Sequence, residues 1–172
     1  MVRSIAKALL GAVAASCFLV GPLEAQAPRG ADPFIGTWKI NIERSTYPGV
    51  RPPADQVTLY TFAPMPDGST RFTLVTTNGL GGWATQVSVF RVDGQQYKVH
   101  NLASVATLMS TGTDTNLTRS YRQIDANTVE FTGYTDGVAG NPVIRQLQPG
   151  GNSYVQRGAN GQGAVLLLER IN

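Results

Sequence analysis

The 172-residue chain carries 14 Lys and Arg against 11 Asp and Glu, with the basic side chains scattered singly. That excludes the basic stripe of a nucleic-acid-binding protein, so nucleic acid is not an expected partner. One cysteine, Cys17, and one histidine, His100, exclude a disulfide framework and a thiolate or multi-histidine zinc site.

Composition sets the fold class next. Charged residues make up only 15% of the chain, and its 19 Gly and 10 Pro are spread among Thr, Asn and Val. Such a mixture disfavours helices and favours short strands joined by tight turns.

The first residues read as a leader. Arg3 and Lys7 precede an apolar run from Ala8 to Val20, and small residues follow at Ala25 and Ala27. This is the pattern of a secretory signal peptide, with cleavage expected after Ala25 and Ala27 as the alternative. The apolar run is short for a membrane span, which leaves an uncleaved anchor as the less favoured reading. Lipidation of Cys17 is disfavoured because Phe18, Leu19 and Val20 continue the run past it. Removing residues 1–25 takes away Arg3, Lys7 and Glu24, so 14 positive and 11 negative side chains become 12 and 10. About 147 residues then remain, without a cysteine, which suits one domain. The expected location is secreted or periplasmic, with membrane contact only through the transient leader.

Residues 26–33 have no pattern and read as a tether. The first strand is expected at 35–43, where Trp38, Ile40 and Ile42 alternate with Lys39 and Asn41. Residues 44–55 contain Pro48, Pro52 and Pro53, so no helix can run through them. They form a loop that crosses an edge or an end of the fold. Strands are then expected at 56–63, 70–77, 83–92 and 96–101. Asp93-Gly94 suggests that the last two form a hairpin. A weak run at 105–111 follows, then strands at 117–124 and 128–134 around Asp125-Ala126-Asn127. The final strands fall at 143–147, 153–157 and 164–171. About ten short strands with nearest-neighbour turns, and no amphipathic helix, predict an all-β, antiparallel up-and-down β-barrel of eight to ten strands over residues 34–172. A two-sheet sandwich is the alternative. Apolar residues on both faces of 56–63, and the trio Leu166, Leu167 and Leu168, leave room for a homo-oligomer.

Gly36-Thr37-Trp38-Lys39 near the start and Glu169-Arg170 at the end resemble the calycin superfamily of lipocalins and intracellular fatty-acid-binding proteins. Further motifs are similar to those of secreted bacterial lipocalin-like proteins: Gly36 to Asn41, Ser45 to Gly49, Asp93 to Tyr97, and Arg122 to Glu130. The resemblance implies that Gly36, Trp38 and Arg170 are structural, with the arginine lying over the indole to close the barrel. A guanidinium on an indole gains about 0.5–2 kcal/mol. It also implies a hydrophobic ligand. Two departures matter. The helical pair of the fatty-acid-binding proteins is replaced by the Pro-rich loop. Their anion-gripping Arg-x-Tyr is replaced by Leu166 and Leu168, which points toward a neutral ligand.

No Gly-x-Ser-x-Gly elbow, carboxylate pair or phosphate loop is present. The expected function is a secreted lipocalin-like barrel that binds a small apolar molecule, with no cofactor and no metal. Tyr60, Phe62, Phe72, Trp83, Phe90 and Tyr121 are the candidate ligand-binding residues. The alternative is a cofactor-free barrel enzyme of the isomerase, cyclase or decarboxylase type. Its candidate residues are Arg119, Tyr121, His100 and Tyr60. Arg119 and Tyr121 could polarise a carbonyl, and His100 is the one side chain poised to titrate near neutrality. Which parity of residues 117–124 faces inward stays open. Gly79 to Trp83 could form a portal loop.

Overall fold

A computed structural model describes residues 32–103 and 116–171. The leader, most of the tether and the weak run at 105–111 lie outside the described residues.

The described chain is all-β and antiparallel. Twelve strands run in the order β1 (Gly36–Ile40), β2 (Val57–Pro64), β3 (Thr70–Thr77), β4 (Trp83–Phe90), β5 (Gln96–Lys98), β6 (His100–Ala103), β7 (Leu117–Asp125), β8 (Thr128–Thr135), β9 (Val138–Ala139), β10 (Val143–Leu147), β11 (Ser153–Gly158) and β12 (Leu166–Ile171). The sheet path is β5-β7-β8-β10-β11-β12-β1-β2-β3-β4-β6, with β9 beside β8. The two ends of that path, β5 and β6, are consecutive in sequence and flank the single residue Val99. The sheet is therefore a nearly closed up-and-down barrel rather than a sandwich. Closure removes the exposed edges that a long open sheet would present.

The seam corrects one expectation. Residues 96–101 do not form a simple hairpin with β4. Only β6 pairs with β4, through His100 opposite Val87 and Asn101 opposite Gln86. β5 pairs instead with β7, through Tyr97 opposite Arg119. Gly94 N–H donates to Tyr121 O at 2.9 Å, and Val99 N–H donates to Leu117 O at 2.9 Å. Asp93-Gly94 thus carries the chain from the β4 edge to the β7 edge. Gly94, with φ +81°, supplies the turn that this crossing requires.

One end of the barrel is plugged. Trp38 is fully buried, and its Nε1 donates to Phe34 O at 2.7 Å. Phe34 and Trp38 meet Tyr154 edge-on at 5.1 and 4.9 Å between centroids. The Arg170 guanidinium lies 4.1 Å from the Trp38 ring centroid. Its Nη1 donates to Ile35 O at 2.8 Å, and its Nε donates to Gly151 O at 3.2 Å. Gly36 has φ +131°, and a Cβ there would run into the Arg170 guanidinium. Those contacts give a physical reason for Gly, Trp and Arg at these three positions.

At the other end, residues 44–55 cross β12. Thr46 and Val165 form an isolated bridge, and the Ser45 hydroxyl donates to Asn41 O at 2.6 Å while accepting Leu167 N–H at 2.9 Å. The turn after β3 is tied down: Asn78 Oδ1 accepts N–H bonds from Leu80 at 3.1 Å and Gly82 at 2.8 Å. Gly79 packs so closely on Asp55 that a Cβ would clash with its carboxylate. The strand β9 was not expected from sequence; it is a two-residue addition beside β8.

Candidate functional site

Strand alternation decides which side chains point inward. On β2, Thr58, Tyr60 and Phe62 are buried. On β3 the inward positions begin with Thr70 and Phe72, and on β4 they end with Ser88 and Phe90. On β7, Tyr121 is fully buried and opposite Phe131 of β8. The residue two before it, Arg119, therefore shares the inner face. On β10 the inner set is Val143, Arg145 and Leu147, with Arg145 only 2% exposed.

The lining is aromatic. Tyr60 meets Phe72 edge-on at 5.5 Å, Phe62 lies 5.0 Å from Phe72, and Phe90 stacks on Tyr121 at 3.7 Å. Into this lining project two guanidiniums. Arg145 Cζ lies 4.4 Å from the Phe131 ring, 4.9 Å from Phe62 and 5.3 Å from Phe72. Arg119 Cζ lies 5.6 Å from Phe131 and 5.9 Å from Phe72. Their remaining polar partners are amides: Arg119 Nη2 donates to Gln86 Oε1 at 2.9 Å, and Arg145 Nε donates to Gln156 Oε1 at 3.1 Å.

Neither guanidinium is in an ion pair among the described residues. The three ion pairs there join Arg44 to Glu169, Arg91 to Asp67 and Arg122 to Glu130. Because both guanidiniums approach the same Phe131 ring, their Cζ atoms are at most 10.0 Å apart, the sum of the two centroid distances. Like charges at such a separation repel by about 2 kcal/mol at an effective dielectric near 20.

Among the described residues, three further polar atoms are buried without a hydrogen-bond partner: Tyr121 Oη, Tyr154 Oη and Asn101 Oδ1. Each costs about 1–3 kcal/mol when left unsatisfied. Tyr154 and Asn101 belong to the inner faces as well. Tyr154 is opposite Leu168, and Asn101 is opposite Gln86, the acceptor of Arg119. Burial pushes the Tyr154 phenol well above its usual range. Arg145 opposes that rise, while Tyr60 and Asp32 add to it. The phenol is thus a proton donor that stays protonated.

Asp32 sits at the plugged end. Burial raises its carboxyl above the ordinary value, against the Phe34 N–H, the field of Arg145 and the Thr70 hydroxyl. A pocket of about 380 Å³ opens beside it, lined by Ile35, Met65, Arg91 and Gln123 among others. Its polar groups are already used. Asp67 accepts from the Ser69 hydroxyl at 2.6 Å and pairs with Arg91, and the Gln123 amide donates to Asp125 O at 3.1 Å. The unfilled hydrogen-bonding capacity lies instead in the barrel interior.

Among the residues expected from sequence, the fold brings together Tyr60, Phe62, Phe72, Phe90, Tyr121 and Arg119. It does not bring Trp83 or His100 to them. Trp83 is 41% exposed, because β4 buries Ser88 and Phe90 and so turns the opposite parity outward. His100 is exposed and stands opposite Val87 on the outer face. Arg145, Tyr154, Gln86 and Asn101 escaped the sequence reading. Among the described residues, no three His, Cys, Asp or Glu side chains gather as a metal site would need.

Comparison with family models, curated proteins and solved structures finds no match to this chain.

Proposed function

We propose that this protein is a secreted, lipocalin-like barrel that holds a small, largely apolar molecule in its interior. The observation that carries this reading is the set of unsatisfied polar atoms inside an aromatic lining. Among the described residues Tyr121 Oη, Tyr154 Oη and Asn101 Oδ1 have no hydrogen-bond partner. Tyr121 packs on Phe90 and Phe131, Tyr154 packs on Phe34 and Trp38, and Asn101 stands opposite Gln86. Ligand sites are typically apolar surfaces with a few convergent polar groups that fix orientation. A barrel that had evolved only for stability would have filled those positions with apolar side chains at no hydrogen-bonding cost. The Gly36, Trp38 and Arg170 closure is consistent with the calycin resemblance.

Native mass spectrometry of the protein purified from its own host, followed by organic extraction, tests this. The expected result is one small apolar molecule per chain. A protein that arrives empty and takes up no hydrophobic dye would overturn the reading.

A further inference from the structure

We propose that the bound molecule carries an anionic group, a carboxylate or sulfonate, seated between Arg119 and Arg145. This rests on the binding reading above and names the chemistry of its ligand.

Two guanidiniums project from different strands, β7 and β10, onto the same pair of rings, Phe72 and Phe131. Neither meets a carboxylate within ion-pair distance among the described residues. Arg145 is almost entirely enclosed, at 2% exposure. Burying a cation with only an amide partner is unfavourable unless a counter-charge arrives. Gln86 and Gln156 each accept one N–H and cannot neutralise anything. Asp32 reaches Arg145 only through its field, from outside ion-pair distance. An anion between the guanidiniums removes their mutual repulsion and accepts from N–H groups that Gln86 and Gln156 leave free. Arginine is suited to this, since its planar fork presents parallel donors to a carboxylate or sulfonate. The phenols of Tyr121 and Tyr154 are further donors on the inner faces of the barrel.

The inference departs from the neutral ligand expected from Leu166 and Leu168. Those positions do place aliphatic side chains on β12, with Leu168 fully buried. The cations simply come from other strands.

A matched pair of dyes tests the charge alone. 1-Anilinonaphthalene-8-sulfonate and N-phenyl-1-naphthylamine share a ring system and differ by the sulfonate. The protein, stripped of bound lipid on a hydrophobic resin, is titrated with each by fluorescence. The sulfonate should bind about ten-fold tighter or more, the free energy of one good charge-assisted contact. Arg119→Gln and Arg145→Gln should each remove most of that advantage, read as the ratio of the two dyes' affinities within each variant. Arg119 is only half-buried, so its variant gives an answer even if the Arg145 variant does not fold. Equal affinities for the two dyes, or a sulfonate preference that survives the Arg119 change, overturns the anion site and leaves the binding barrel standing. Binding of neither dye overturns both.

Discussion

At the residue scale, the molecule turns on two arginines with opposite settings. Arg170 is a satisfied cation. It stacks on Trp38, donates to two backbone carbonyls and needs the absence of a side chain at Gly36. Arg170→Ala should cost about 2–4 kcal/mol, from the lost stacking and two hydrogen bonds. Gly36→Ala should cost about 2 kcal/mol or more, since it adds strain at φ +131° to the collision with Arg170. Denaturant unfolding measures both. A near-neutral Arg170→Ala would contradict a closing role. Arg145 is the counterpart with no carboxylate within ion-pair distance among the described residues, and Asp32 feels its field. An acid whose folded pKa is raised binds extra protons in the folded state. Its contribution is therefore most favourable below the ordinary value of 3.8 and is lost as pH rises through the raised value. Asp32→Asn should match the parent near that lower limit and become the more stable of the two toward neutrality. Thermal melts across the acid range check this. A variant that falls behind the parent as pH rises would mean that Asp32 acts chiefly as the counter-charge of Arg145.

At the scale of the elements, strand parity separates interior from surface. The sequence located most strands to within a residue or two, because Asn78-Gly79, Asp93-Gly94 and Asp125-Ala126-Asn127 punctuate them. It left the inward face of β7 open, since Arg119 and Tyr121 on one parity are balanced by Thr118, Ser120 and Ile124 on the other. Only packing against Phe90 and Phe131 resolves it. Arg145 did carry a local signal: its neighbours at two residues' distance, Val143 and Leu147, are apolar, so the alternation itself turns the arginine inward. Tyr154 had no such signal, because its burial depends on Trp38 and Phe34, more than a hundred residues away in sequence. The β5–β6 seam was invisible for the same reason. No local rule says that a strand changes partner halfway. Val99 and His100 are adjacent there and face opposite ways, with Val99 3% exposed. Val99→Asp should destabilise the barrel by about 3 kcal/mol or more by burying a charge at the seam. His100→Ala should stay within about 0.5 kcal/mol. A strong effect of the histidine on stability or dye binding would contradict its outer-face position.

At the scale of the whole molecule, the barrel closes one end with Trp38, Arg170 and Phe34 and concentrates its unsatisfied polar groups within. Under the proposed binding, a ligand at a hundred times its dissociation constant would add about 2.7 kcal/mol. The sequence made the barrel and its plug legible because they rest on alternation and on one short motif. It could not show the interior, where residues from β4, β6, β7, β10 and β11 meet only after closure.

The most direct test is isotope-edited NMR of the protein with bound N-phenyl-1-naphthylamine, reading through-space contacts from dye protons to assigned side chains. An interior ligand gives contacts to the rings of Phe72, Phe131 and Tyr121, and none to Trp83. Contacts confined to Trp83 and the outer faces of β2 to β4 would place the ligand on the surface and contradict the interior site.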